Sequence, residues 1–180
     1  MLLSGESHGY YGDYRHAPLN DIARALGSGF VYQGEASAHR DGQLRGEPSG
    51  ALAPAAFINF LQNHDQIGNR ALGDRLEAIA DPRAIEAALA ITLLAPAVPM
   101  LFMGEEWGST APFPFFCDFH GDLAKAVREG RRSEFAGAYA RYGDEIPDPL
   151  DPSTAQSAVL DWTARDGESG RTRLDRKSVV

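Results

Sequence analysis

The 180-residue sequence has a single cysteine, Cys117, so no disulfide can close within the chain and its fold cannot depend on an oxidising compartment. Cys117 itself reads as a small buried hydrophobe. Basic residues are in the minority: 17 Lys and Arg against 25 Asp and Glu leave a formal charge of -8 and a pI near 5.0. That balance repels phosphate surfaces, which argues against a nucleic-acid or anionic-membrane partner. Long hydrophobic runs are lacking too. Met1-Leu2-Leu3 passes at once into Ser4-Gly5-Glu6, too short a stretch for a signal peptide, and no later run has membrane-spanning length. A soluble, cytoplasmic protein is therefore expected. There is no internal repeat. With 43% hydrophobic residues, what remains is the composition of one globular domain with a real core.

Between Pro18 and Gly29, the apolar residues Leu19, Ile22, Ala23 and Leu26 recur at helical spacing and predict one amphipathic helix. From Tyr32 to Ala55 the chain is rich in Gly, Ser, Pro and charge without a sustained period, which reads as a long loop of the kind that covers functional sites. Phe57-Ile58-Asn59-Phe60-Leu61 is a nearly unbroken apolar run of strand length, as for a parallel strand covered on both faces. Asp81 as N-cap and Pro82 at the first position open a second helix, with Ile85, Leu89 and Leu93 on one face. Met100-Leu101-Phe102-Met103 follows as another short strand. Phe119 to Tyr142 reads helical with a break at Gly130, its faces carrying Leu123, Ala126 and Val127, then Phe135, Ala138 and Tyr139. From Asp144 onward Pro147, Pro149 and Pro152 predict an extended connector.

A strand-helix-strand unit with parallel strands places both strand C-termini on one edge of the sheet. In an α/β barrel that edge carries the active site. The pattern does not separate a barrel from an open sheet. His64-Asp65 would stand at the end of the first strand, among the amides of Asn63, Gln66 and Asn69. Such a cluster suits sugar hydroxyls, and a carboxylate there can stabilise an oxocarbenium-like transition state. The plainer reading of Asp65 is a cap for the next turn. Glu105 and Glu106 follow the second strand and could orient an arginine such as Arg70, or be a surface pair. Trp107 with Phe113, Phe115 and Phe116 could stack on pyranose faces or simply fill a core. Asp118 and His120 fall short of a zinc signature, so no metal is expected.

The run from Phe57 through Gln62-Asn63-His64-Asp65-Gln66-Ile67-Gly68-Asn69-Arg70 resembles the fourth signature region of the α-amylase family of glycoside hydrolases. Within that family this variant is similar to the malto-oligosyltrehalose trehalohydrolases, as is Phe102-Met103-Gly104-Glu105-Glu106-Trp107-Gly108. Pro112 to Phe116, Gly130 to Phe135, Asp148-Pro149 and Leu160-Asp161-Trp162 follow in the same order. Gly9-Tyr10-Tyr11 and Gly29 to Gly34 match upstream, so the resemblance covers most of residues 5 to 162.

The resemblance implies a partial (β/α)8 TIM barrel, about its last two strands with their helices, over residues 1–143. A connector toward a C-terminal β domain would occupy 144–174. Residues 175–180 match nothing in the family and look like translated sequencing adapter, hence a non-native tail. The activity implied is retaining hydrolysis of the α-1,4 bond joining trehalose to a malto-oligosaccharide, without metal or organic cofactor. Asp65 would be the catalytic, transition-state-stabilising carboxylate, His64 a hydroxyl-binding neighbour, and Gln66, Gly68, Asn69 and Trp107 would bind the malto-oligosyltrehalose or related α-glucan. No segment here resembles the motifs of the nucleophile and the acid/base, so the isolated chain is expected to be inactive. A glucan branching enzyme and a non-catalytic carbohydrate-binding protein remain as alternatives.

Overall fold

The computed structural model describes residues 1–7 and 9–177, with side chains as far as Asp175. In order, the chain forms a 3-10 turn (Gly9–Tyr14), helix α1 (Pro18–Ser28), strands β1 (Gln33–Ala36), β2 (Leu44–Gly46) and β3 (Ile58–Asn59), and helices α2 (His64–Gly68), α3 (Leu76–Ile79) and α4 (Pro82–Leu94). Strand β4 (Val98–Pro99), a 3-10 turn (Glu105–Trp107) and helices α5 (Gly121–Glu134), α6 (Ala136–Tyr142), α7 (Pro152–Ser157), α8 (Trp162–Asp166) and α9 (Glu168–Lys177) complete it. Residues 1–61 and 80–100 make one compact unit; 62–79 with 101 onward make a second. Among the described residues no helix is long and apolar enough to cross a membrane.

In the first unit β3 and β4 pair in parallel, Ile58 opposite Val98 and Asn59 opposite Pro99, with α4 between them in sequence. The strand-helix-strand order is as the sequence predicts. The second strand begins two residues earlier than expected, and only its flank extends the ladder, where the Met100 N–H donates to the Asn59 carbonyl at 2.8 Å. Pro99 lies between the two donors Val98 and Met100, so its missing N–H removes no bond from this ladder. The predicted cover on both faces is not found: Ile58 is 61% exposed. Helix α4 forms where predicted because the Asp81 carboxylate accepts from the N–H groups of Arg83 and Ala84 at 2.9 and 3.1 Å. Its buried face is Ile85, Leu89 and Thr92, with Leu93 only half-buried; the Thr92 hydroxyl satisfies itself on the Ala88 carbonyl.

The predicted loop of residues 32–55 contains an antiparallel hairpin, β1 with β2, bulged between Gln33 and Glu35. Its strands are too short to show alternation, and a part-buried ion pair supports them. The Asp13 carboxylate is shut off from solvent; it accepts from the Ser37 hydroxyl at 2.5 Å, the His39 N–H at 3.0 Å and the Arg45 guanidinium at 3.2 Å. Arg45 in turn lies over the rings of Tyr14 and Tyr32. Helix α1 ends where Gly29 takes φ +91°; a Cβ there would stand 2.2 Å from the Phe57 ring. Glycine alone permits both that backbone and that contact.

In the second unit the predicted long helix breaks at Phe135 rather than Gly130, and the buried residue of α5 is Ala124 while Leu123 is 53% exposed. Gly130 is tolerated inside the helix, whereas Phe135 leaves helical geometry with its ring beneath the Arg131 guanidinium. Beyond Asp144 the chain forms short helices where the prolines predict an extended run. Pro152 occupies the first turn of α7, where its missing N–H costs nothing, and Asp151 caps that turn through the Ser153 N–H. Of the expected tail, residues 175–177 continue α9, and 178–180 lie outside the described residues.

The Asp13 carboxyl is held below the usual carboxylate range, chiefly by the Ser37 hydroxyl, then by the His39 N–H and Arg45. Its stabilisation is complete above the unfolded value of about 3.9 and is lost as pH falls through the lower folded value. Asp13→Asn is therefore expected to lower the urea midpoint near neutrality and to change it little in strong acid. An equal loss at both pH values would contradict this.

Candidate active site

The residues predicted to form the site begin directly after the first unit's β3 segment ends, at Gln62. His64 to Gly68 form α2, a helix of one turn and a half, too short to stand alone. Its anchors are side chains on either side. The Asn63 amide oxygen accepts from the Gln66 N–H at 2.9 Å and caps the start. Ile67 is wholly buried, and Gln62 nearly so: its amide accepts from the Leu76 N–H at 3.0 Å and donates to the Glu77 carboxylate at 2.9 Å. Arg173 reaches Glu77 from α9 at 2.9 Å. At the far end the Arg70 guanidinium donates to the Asp74 carbonyl at 2.7 Å.

Held this way, α2 turns His64 and Asp65 outward. Their side chains are 68% and 75% exposed, with His64 Nε2 3.3 Å from Asp65 Oδ1. The Asp65 carboxylate does not cap its own helix, since Asn63 does; the plainer sequence reading of Asp65 as a cap is thereby excluded. Gln66 is half-buried, Asn69 exposed, and Gly68 buried with its carbonyl accepting from Arg131 at 3.0 Å.

The second polar cluster lies in the same unit, around Arg75. This arginine is fully buried; its guanidinium donates to the carbonyls of Met103 and Ala111 and rests on the Phe102 ring at 4.9 Å. Burial pushes its pKa down, while Glu77, Glu105 and Glu106 act the other way. Glu105 is buried and accepts from the Phe102 N–H at 2.9 Å. Composition offers no signal for Arg75, because its partners are backbone groups 28 and 36 residues away. Close by, Gly73 at φ +69° would put a Cβ 2.3 Å from the Pro114 nitrogen, and its carbonyl accepts from the Phe113 N–H. The two backbones cross at contact distance.

The predicted aromatic cluster divides. Phe113 packs edge-on with Phe102 and Phe116, and Phe115 lies under Arg131. Trp107 is buried and packs on Trp162 with centroids 5.0 Å apart. It borders a cavity of about 310 Å³ shared with Ser109, Asp161 and Ser169. A larger cavity of about 490 Å³, lined by Arg128, Arg132, Tyr139, Asp148 and Thr154, holds none of the predicted site residues. There the Arg128 guanidinium grips Asp148 with bonds of 3.0 and 2.9 Å and holds its carboxyl below the usual range. His120 and Asp118 are exposed and 3.9 Å apart; no group of three metal-ligating side chains occurs among the described residues.

No family model matches the chain. It superposes on a crystal structure assigned as an α-amylase from Salmonella typhimurium with a TM-score of 0.86 and 48% identity, over 97% of this chain and 29% of that one. The mixed helices and small sheets thus belong to the α-amylase class of fold. Among curated proteins, the malto-oligosyltrehalose trehalohydrolase of Deinococcus radiodurans is 41% identical over 174 residues, 96% of this chain and 29% of its own length. Those of Rhizobium sp. and Saccharolobus solfataricus are 43% and 38% identical over 99% and 92% of the chain. By sequence the chain belongs to the malto-oligosyltrehalose trehalohydrolase family, and it spans about 30% of the length of the relatives it matches.

The bracing of α2 makes separable demands on stability. Gln62→Leu strands the buried Leu76 N–H and one Glu77 contact and is expected to cost about 1–3 kcal/mol in urea unfolding. Asp65→Asn, on the exposed face, is expected to stay within about 0.5 kcal/mol of the parent. A larger loss for Asp65→Asn than for Gln62→Leu would mean that Asp65 supports the fold.

Proposed function

We propose that this chain carries part of the substrate cleft of a retaining glycosidase, which hydrolyses the α-1,4 bond beside the trehalose end of malto-oligosyltrehalose and releases trehalose. The observation that carries the reading is the Asp65 carboxylate, presented to solvent at the start of a turn whose other contacts all serve to hold it. The curated relatives bearing that activity in their names match over nearly the whole chain.

In this reading residues 1–143 form the last two strands of a (β/α)8 barrel with their helices, and 144–174 lead toward a further β domain. Asp65 stabilises the oxocarbenium-like transition state; as an acceptor-only carboxylate near the ring it opposes the developing positive charge and takes hydrogen bonds from ring hydroxyls. His64 binds a hydroxyl beside it. Gln66 and Asn69 contribute amide groups, while Gly68 and Trp107 shape the cleft from their buried positions. Retention requires two further carboxylates, a nucleophile and an acid/base about 5–5.5 Å apart. The proposal places both outside residues 1–180, with water the only co-substrate.

The test compares malto-oligosyltrehalose with glycogen as substrates for the full-length gene product. Free trehalose is expected from the former, and Asp65→Asn is expected to lower its rate by at least about a hundredfold, the scale of losing one electrostatic stabiliser. Residues 1–180 alone are expected to release none. New branches in glycogen, or saturable maltodextrin binding without turnover, would overturn the assignment.

A further inference from the structure

The C-terminal end of α2 is held by one side chain from 62 residues further along the chain. Arg131 projects from α5, and its side chain is 14% exposed. The guanidinium lies between two rings, 4.9 Å from the Phe115 centroid and 4.5 Å from that of Phe135. One nitrogen donates to the Gly68 carbonyl at 3.0 Å and another to the Asn69 amide oxygen at 3.5 Å. Glu134 lies 3.9 Å away.

Gly68 and Asn69 are the last residue and the cap of α2. Helix-terminal carbonyls lack partners within their own helix and carry partial negative charge, so a cation there is favourable. The contact reaches Asp65 in one step, because the Asn69 N–H donates to the Asp65 carbonyl at 3.1 Å. Stacked between two rings, the planar fork has little freedom to leave its acceptors, a constraint that a lysine ammonium cannot reproduce. The hydrogen-bond fork, the stacking and the Asn69 link all converge on the turn that presents His64 and Asp65.

We propose that Arg131 is a positioning residue for the hydrolytic reaction: acting through Gly68 and Asn69, it fixes the direction in which α2 presents Asp65. The proposal rests on the role assigned above to Asp65. Phe115 and Phe135 belong to the same device, as walls that hold the guanidinium in plane.

Arg131→Met fills the same space without donors, and Arg131→Lys keeps a charge and a donor but loses the fork. Both are made in the full-length gene product beside Asp65→Asn, with the folded fraction taken from thermal unfolding. Per folded molecule, Arg131→Met is expected to lower kcat for trehalose release at least about tenfold with KM within about threefold, and Arg131→Lys to lie between. Amide exchange at Asn69 is expected to speed up in the Met variant. Parental kcat in a folded Met variant, or unchanged exchange at Asn69, overturns the proposal. If the Met variant does not fold, the Lys variant decides: a lowered kcat at unchanged KM supports positioning, and parental kcat overturns it. If Asp65→Asn keeps the parental rate, the role of Asp65 fails; exchange at Asn69 then still decides whether Arg131 holds the turn.

Discussion

A guanidinium removed from water organises the second unit. Taking a charge out of water costs several kcal/mol unless fixed dipoles and opposite charges replace the hydration. For Arg75 the replacements are two backbone carbonyls, the face of Phe102 and the field of three glutamates. Because the carbonyls of Met103 and Ala111 belong to a segment with almost no regular structure, the two bonds that Arg75 makes also fix the path of that segment, while its Nη2 stays buried without a partner. The buried Glu105, the aromatic packing of Phe102 on Phe113 and the Gly73 crossing all lie along it. Helix propensity contributes little here; the order comes from side-chain bonds to backbone groups and from aromatic packing.

The first unit uses the opposite sign of the same device. Asp13 is an anion out of water, and the Ser37 hydroxyl, the His39 N–H and Arg45 converge on it. Its hairpin has too few ladder bonds to persist alone, so the carboxylate takes the place that a wider sheet would have. The parallel pair β3 and β4 shows the other side of that balance. Parallel strands are usually covered on both faces, yet Ile58 and Val98 stay 61% and 47% exposed.

What could be read from the sequence was whatever local chemistry decides. Asp81-Pro82 starts α4, and the apolar spacing around Ile22 gives α1. His64-Asp65 at the end of an apolar run marked the candidate site, and the signature around it pointed to the family. What escaped depends on distant partners. The hairpin of residues 33–46 is too short to show alternation and leans on Asp13, α5 breaks at Phe135 where Arg131 occupies the ring, and Pro152 starts a helix because Asp151 precedes it. Arg75 and Arg131 act on backbone carbonyls, and an acceptor that every residue possesses leaves no mark in a sequence.

The packing of Trp107 on Trp162 has a practical consequence. These are the only two tryptophans in the chain, and their rings lie 5.0 Å apart. All of its indole emission therefore arises from one contact, between the turn that follows Phe102-Met103-Gly104 and the start of α8. At that spacing the two transition dipoles couple, so the near-ultraviolet dichroism of the pair reads out the angle between the rings. The protein carries its own optical gauge of whether residues 105–107 and 162–166 are docked, and it needs no added label.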